Sequence, residues 1–144
     1  MLTMYPACFF KEENGYSVIF PDLENGCLST CGDSLEEAIT MAVDCLAGYI
    51  YTAWEFKEDV PPASPINSID IKKIANDTYD NEGDYSEAFV NMISVNVAAY
   101  AKEHFEKSVK KTLTIPTWLN ELAIEQNINF SQVLQEALLA KLRA

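Results

Sequence analysis

Positive charge and histidine are scarce in this chain, which has ten lysines and arginines, 22 acids and one histidine among 144 residues. His104 lies in a polar, helical-looking segment without an acid–base partner, so we interpret it as a solvated surface residue. No apolar run reaches the roughly 18 residues that span a bilayer, and no charged-then-apolar secretory pattern opens the chain. These absences predict a soluble, cytoplasmic protein without a membrane partner.

Signatures of cofactor and nucleophile chemistry are also missing. The five glycines form no phosphate-binding loop, and the sequence has no nucleophile motif. Cys27 and Cys31 are four residues apart, but no second pair of cysteines or histidines has the spacing of a zinc site. Because the sequence has no export signal, we expect all four thiols, including those of Cys8 and Cys45, to be reduced. The sequence therefore predicts no catalytic residue, no cofactor and no metal.

The charge that is present divides the chain into two parts. Residues 1–106 carry 19 acids and five lysines, a net charge of −14, whereas residues 107–144 carry five basic residues and three acids, a net charge of +2. This asymmetry favours a cationic partner for the first part and an anionic partner for the second. The alternative is that the acids only keep a small protein in solution. We predict two domains, 1–106 and 107–144.

The first 32 residues predict a three-stranded antiparallel meander. Pro6 marks the first strand as an edge strand or a bulged one. Asn14-Gly15 favours a type I′ hairpin turn, because both residues accept positive φ angles. The predicted strands are 2–11, 16–20 and 27–31.

A long amphipathic helix is predicted after the meander, from 34 to about 54. Ser34 and Glu37 have the spacing of a capping box, and apolar residues recur every three or four positions, which predicts a stripe packed on the sheet. The prolines of residues 61–65 end helical structure there. The remaining predicted elements are a short helix at 68–75, an acidic surface loop at 76–84, a fourth strand at 88–97 and a short helix at 98–106.

Residues 107–144 predict one strand followed by two helices. Val109, Leu113 and Ile115 alternate with polar residues, so one face of the strand is apolar. A lone strand leaves its backbone donors and acceptors unpaired unless a second copy supplies the neighbouring strand. This is the pattern of a ribbon-helix-helix unit, whose two-stranded ribbon enters the DNA major groove. The tail therefore predicts a homodimer, or a higher oligomer built from it, that binds operator DNA.

The polar face of the predicted ribbon carries the candidate DNA-binding side chains Lys110, Thr112 and Thr114. Lysine can donate to guanine, and threonine can donate, accept or pack its methyl group on thymine. The backbone amides of Phe130 and Ser131, at the start of the last helix, are expected to hold a phosphate. The alternative is that the three side chains form an ordinary solvated strand face.

Three further residues of the tail have predicted roles. Lys111 falls on the apolar parity, so we expect its stem to cover apolar surface while its ammonium reaches water. Thr117 is expected to cap the first tail helix. Asn129, three residues before Gln132, is expected to cap the second.

Several short strings in the first domain match a family pattern. They are Tyr5-Pro6-Ala7, Gly15-Tyr16-Ser17-Val18, Phe20-Pro21-Asp22-Leu23, Gly26-Cys27, Thr30, Gly32-Asp33-Ser34-Leu35-Glu36-Glu37-Ala38, Pro61-Pro62 and Ser64. With these residues the chain resembles the HicB family of antitoxins, whose members commonly carry a C-terminal ribbon-helix-helix or helix-turn-helix. The resemblance implies an α+β fold: a partial RNase H-like domain, with an antiparallel sheet packed on a helix, followed by the ribbon-helix-helix.

The same resemblance implies a partner and a second role. The partner would be a HicA-type toxin, a small basic mRNA-cleaving protein that the acidic domain blocks, and the tail would repress the antitoxin's own operon. No motif fixes the toxin contacts, so charge alone selects the candidates. These are Glu24, Glu36, Glu55, Asp59 and Asp84.

Two other functions were weighed against this one. An RNase H-like nuclease needs carboxylates that converge on two divalent ions, and Asp22, Asp33 and Asp44 are the acids considered. Asp22 has the setting of a turn and Asp33 that of a helix start, so we predict that the protein is not an enzyme. The alternative function is a ribbon-helix-helix transcriptional repressor whose first domain senses a small ligand.

Overall fold

The computed structural model describes residues 1–79 and 85–143. It is a mixed α/β structure that divides into two units, Met1–Lys107 and Ser108–Ala144. In chain order the elements are β1 (Thr3–Glu12), β2 (Gly15–Phe20), β3 (Leu28–Gly32), α1 (Leu35–Phe56), α2 (Ile71–Tyr79), β4 (Phe89–Val95), α3 (Val97–His104), α4 (Thr117–Glu125) and α5 (Phe130–Arg143).

The predicted meander is confirmed. All neighbouring strands are antiparallel, and β4 pairs with the far side of β1, which gives the order β3-β2-β1-β4. The turn between β1 and β2 lies where Asn14-Gly15 predicted it, but it is not type I′. That turn needs positive φ at both loop residues, whereas Gly15 (φ +134°) takes the positive angle here and neither Glu13 nor Asn14 does.

The prediction that Pro6 marks an edge strand or a bulge is wrong, because β1 is an interior strand in regular register. Pro6 lies opposite Met92 of β4, while pairing between β1 and β2 begins two residues later, at Cys8. The proline therefore lies where only one side of the strand is paired. That position explains how an interior strand tolerates a residue without an N–H group.

α1 covers one face of the sheet and begins at the predicted cap. The Ser34 hydroxyl accepts from the Glu37 N–H at 3.1 Å, and the Glu37 carboxylate accepts from the Asp33 N–H at 2.8 Å. The Ser34 half of the predicted capping box is therefore confirmed, whereas Glu37 reaches back one residue further than the box requires, to Asp33. Beneath the helix, Phe9 and Phe20 are fully buried in the main hydrophobic core.

The other face of the sheet is covered by α2. Cys8, Phe10 and Ile19 are buried there against Ala75 of that helix. The predicted surface loop at 76–84 is therefore wrong for 76–79, which complete α2, and residues 80–84 lie outside the described residues. Burial, with a smaller contribution from the Asp22 carboxylate, raises the pKa of the Cys8 thiol to about 11, so this cysteine is a core residue and not a nucleophile.

The helix predicted at 68–75 begins later than expected. A single 3-10 turn, Ile66–Ser68, precedes α2. The Asp70 carboxylate accepts from the Lys73 N–H at 3.2 Å, so it caps the helix one residue before its first turn. The start of α2 is therefore set by Asp70 and not by Ser68.

The proline-rich segment at 61–65 is tied to the sheet by three hydrogen bonds. Ser64 donates to Asp22 through its N–H at 2.8 Å and through its hydroxyl at 2.6 Å. The Tyr5 hydroxyl donates to the Pro61 carbonyl. Asp22, which its neighbours suggested was only a turn residue, is thus the anchor of a segment 42 positions away.

We expect Asp22→Ala to lower the free energy of unfolding by about 2 kcal/mol, because two charge-assisted hydrogen bonds are lost. Ser64→Ala, which keeps the backbone bond, should cost about 1 kcal/mol. The double variant should cost no more than Asp22→Ala, since both changes remove the same contact. Urea denaturation of the three variants measures this, and fully additive losses would show that Asp22 and Ser64 act independently.

Candidate functional surfaces

Residues 107–116, where a strand was predicted, form neither helix nor strand. They have no β-pairing partner among the described residues of the single chain, so the isolated molecule does not contain the predicted strand. The physical reason was already visible in the sequence. A strand forms only against a neighbour, and α4 and α5 offer no exposed sheet edge.

The second unit has a concave apolar face, and the pocket that it forms has a volume of about 820 Å³. Its largest apolar side chains remain partly open to solvent, including Phe130 at 44%. An apolar surface of this kind on a small unit indicates an interface. The apolar residues that line it are Leu113, Ile115, Leu119, Leu122, Ala123, Ile128, Phe130, Val133, Leu134 and Ala137.

The predicted DNA-binding side chains lie apart from this face. Lys110, Thr112 and Thr114 are exposed and do not line it, whereas Lys111 does. The alternation predicted from the sequence is therefore present in the extended segment. Lys111 lies among apolar residues but is exposed, which agrees with an apolar stem and a solvated ammonium.

The starts of the two tail helices differ from each other. Asn129 caps α5 as predicted, since its side-chain oxygen accepts from the Gln132 N–H at 3.1 Å. Phe130 and Ser131 are the first residues of that helix, where backbone N–H groups lack helical acceptors. The Thr117 cap is wrong: Thr117 is already helical, and the extended Pro116 (φ −57°, ψ 142°) precedes the helix without a side-chain cap.

The four candidate toxin-binding acids within 1–79 are exposed but scattered. Glu24 lies in a 3-10 turn after β2, Glu36 in the first turn of α1, and Glu55 in its last turn. Asp59 follows α1, and Asp84 lies outside the described residues. Because Glu36 and Glu55 are about 28 Å apart along the helix axis, the two cannot share one compact contact.

Two acids that sequence reasoning missed, Glu58 and Glu106, lie near tyrosines of α1 together with the predicted Glu24 and Glu55. Partial burial and then the nearby Glu24 and Glu58 carboxylates raise the pKa of Tyr49. Partial burial and then the nearby Glu55 and Glu106 carboxylates likewise raise the pKa of Tyr51. The predicted Glu55 lies four residues after Tyr51 in the same helix, whereas Glu106 is brought to Tyr51 only by the fold.

The acids weighed for a nuclease site have other partners or positions. Asp22 binds Ser64, and Asp44 accepts from the Tyr100 hydroxyl at 2.8 Å. Within 1–79 and 85–143, no three metal-ligating side chains come together. His104, predicted as a solvated residue, is exposed, and its ring stacks on Tyr100 with centroids 3.9 Å apart.

Two other observations concern the first unit and the chain as a whole. A groove of about 690 Å³ lies between α2 and the β2–β3 side of the sheet, with Ile19, Ser29, Ile69, Lys73 and Asp77 among its lining residues. The described helices include none with the length and apolar character needed to cross a membrane.

Comparisons with known proteins agree over most of the chain. A family model described as a HicB-like antitoxin of a bacterial toxin–antitoxin system matches residues 5–142. A chain from a toxin–antitoxin complex of Streptococcus pneumoniae superposes with a TM-score of 0.62 at 33% identity, covering 98% of this chain and 99% of that one.

Two curated relatives add sequence matches. A 14.9 kDa protein from the rep–hol intergenic region of Haemophilus phage HP1 is 29% identical over 81% of this chain and 75% of that protein. Antitoxin HicB 2 of Photorhabdus laumondii is 37% identical over 60 residues, which are 42% of each chain.

Proposed function

Because this chain belongs to the HicB-like antitoxins of bacterial toxin–antitoxin systems, we propose that it binds and blocks a HicA-type mRNA-cleaving toxin and represses its own operon. The first unit binds the toxin, and the tail forms a dimeric ribbon-helix-helix that binds DNA. The observation that carries the proposal is the division of the chain into an acidic unit and a weakly basic one with an uncovered apolar face.

Electrostatics support the role of the first unit. Residues 1–107 contain 19 acids and six lysines, so this unit attracts a basic partner and repels nucleic acid. We interpret its sheet and α1 as a partial RNase H-like fold without a catalytic centre. The separate partners of Asp22 and Asp44 support that interpretation, because a two-metal site needs its carboxylates to converge.

An unpaired segment and an apolar face together support the role of the tail. When two copies associate, residues 109–115 of each chain become the neighbouring strand of the other, which pairs their backbone groups. The same association covers the apolar face around Leu134 and Phe130. The ribbon then presents Lys110, Thr112 and Thr114 to the base edges of the major groove, while the amides of Phe130 and Ser131 hold a phosphate.

Replacing Thr112 and Thr114 together by alanine should weaken operator binding about tenfold without changing dimerisation, because two base contacts are lost. Fluorescence anisotropy with a duplex from the promoter of its own gene measures the affinity, and sedimentation measures the dimer. Affinity of the unaltered chain should also fall steeply with salt, as phosphate contacts require. The matched control is Thr40→Ala with Thr52→Ala, two exposed threonines of α1. If both double variants bind the duplex with equal affinity at moderate salt, the ribbon is not part of the DNA interface.

Co-expression with the product of the neighbouring reading frame, which we expect to be a small basic toxin, tests the toxin-binding half of the proposal. Growth rescue and co-purification by residues 1–107 would place neutralisation in the first unit. If the complete chain also fails to rescue, the toxin proposal is wrong. The ligand-sensing repressor then takes its place, with the 690 Å³ groove as its binding site.

A further inference from the structure

The C-terminal end of α1 carries two large aromatic side chains on the protein surface. Trp54 is 51% exposed and Phe56 is 71% exposed, although both lie in a helix whose other face is buried in the core. Exposed aromatic side chains are unfavourable in water and are enriched among the residues that dominate binding energy at interfaces. Their exposure therefore points to a partner.

Most of the charges at this helix end oppose the helix dipole. Glu55 lies in the last turn of α1, which contains no lysine or arginine, and the C-cap residue Lys57 is followed by Glu58 and Asp59, so three carboxylates surround one ammonium. The last carbonyl groups of a helix carry partial negative charge, so these carboxylates are repelled by the backbone and by each other. A cationic partner would offset these repulsions, because its charges would attract the carboxylates.

The backbone that ends α1 is strained as well. Lys57 adopts the left-handed conformation (φ 55°, ψ 39°) that usually belongs to glycine, so that its own N–H and that of Glu58 bond back to Trp54 and Ala53. A lysine pays a steric cost there that glycine would not. Exposed aromatic side chains, carboxylates at the negative helix end and a left-handed lysine thus occur within six residues. Such departures from local preferences are expected at functional sites.

We propose that this helix end is the anchor of the toxin interface. We call it the α1 anchor and define it as Trp54, Glu55, Phe56, Glu58 and Asp59. Arginine or lysine side chains of the toxin stack on the faces of Trp54 and Phe56 while the carboxylates accept hydrogen bonds from their charged ends. The proposal rests on the proposed binding of a basic toxin by the first unit.

Charge excludes the other occupants that an exposed aromatic patch could have. Nucleic acid and anionic lipid surfaces would be repelled by Glu55, Glu58 and Asp59. A second copy of this chain that met the first through the same patch would bring the three carboxylates against their equivalents. A cationic protein surface is the partner for which both the aromatic and the acidic side chains are favourable.

The test measures toxin affinity for the full-length antitoxin and its variants. The probe is the product of the neighbouring reading frame, which we expect to be the small basic toxin, purified through its own tag under denaturing conditions and refolded, and the affinity is measured by titration calorimetry. Trp54→Ala with Phe56→Ala should raise Kd on the order of 30-fold. Glu55→Lys should raise Kd about tenfold, because an attraction becomes a repulsion.

The matched control is Glu13→Lys, which changes the net charge equally but lies in the exposed β1–β2 turn. It should leave Kd within about twofold. Glu55→Lys should also leave Tm unchanged or raise it, because it places a cation at the negative end of α1. Weaker binding without loss of folding stability is a result that misfolding cannot produce.

The possible failures point to different conclusions. If the unaltered antitoxin does not bind the probe, both the proposed toxin function and the α1 anchor are wrong. If it binds and all variants bind equally, the toxin function stands and the α1 anchor is wrong. If Trp54→Ala with Phe56→Ala lowers the mass in sedimentation, the patch joins copies of this chain instead, which also overturns the α1 anchor.

Discussion

Leu134→Asp should leave the antitoxin monomeric and weaken operator binding about 100-fold or more. Leu134 is half-buried in α5 and lines the apolar face of the tail, which the second copy covers in the proposed dimer. A carboxylate there would be taken out of water without a partner on association. Because one copy contributes only half of the DNA-binding ribbon, loss of the dimer also removes DNA binding. Sedimentation measures the mass, and anisotropy measures the affinity for the promoter duplex.

Leu139→Asp is the matched control for this prediction. Leu139 lies in the same helix, is 49% exposed and does not line the apolar face. The same substitution there should therefore leave the dimer and the operator affinity nearly unchanged. A dimer that survives Leu134→Asp would mean that the apolar face is not the dimer interface. A dimer lost equally in both variants would mean that charge anywhere on α5 disrupts the tail.

Local patterns were enough to predict most elements of the first unit. The meander, α1 and its cap follow from interactions between residues close in sequence, such as Ser34 with Glu37. The parity of the tail segment was also predicted, because alternation of apolar and polar residues needs no knowledge of the fold. These features are present whichever way the elements are later assembled.

Features that depend on distant parts of the chain were missed. β1 was predicted to be an edge strand or a bulged one, because its pairing with β4, such as Pro6 with Met92, joins residues 86 positions apart and leaves no local signal. The role of α2 was missed because its apolar residues are few, and only the sheet face formed by Cys8, Phe10 and Ile19 makes them part of a core. Asp22 was assigned to a turn because nothing near it in sequence indicates Ser64.

Among the candidate site residues, the proposed toxin contacts are the least predictable from the sequence. Surface acids have no periodicity that distinguishes a contact from a solvated charge, so charge alone selected Glu36 and Glu55 equally. The fold separates them by the length of α1 and adds information that charge does not contain, namely exposed aromatic side chains and an unfavourable helix end. That addition is why the α1 anchor could be proposed from the structure and not from the sequence.

Gly32→Ala should lower the free energy of unfolding by about 3 kcal/mol or more. A Cβ atom on Gly32 would lie 2.3 Å from the backbone nitrogen of Ala38 and 2.7 Å from its Cα. Both atoms belong to the backbone of α1, so the clash cannot be relieved by turning a side chain. It can be relieved only by moving α1 away from the end of β3, which opens the main core. Urea denaturation followed by circular dichroism measures the loss.

Gly48→Ala makes the same substitution within α1 itself, where the opposite sign is expected. A Cβ atom on Gly48 would have the Phe105 ring as its nearest neighbour, at an ordinary contact distance of 3.8 Å, and glycine weakens a helix interior. Gly48→Ala should therefore stabilise the protein by about 0.5–1 kcal/mol. If both variants lose stability equally, then α1 tolerates no added volume anywhere and the close approach at Gly32 is not special. Opposite signs would show that the glycine of the Gly32-Asp33-Ser34 string is required by the contact between β3 and α1, and so by the position of the helix whose far end forms the α1 anchor.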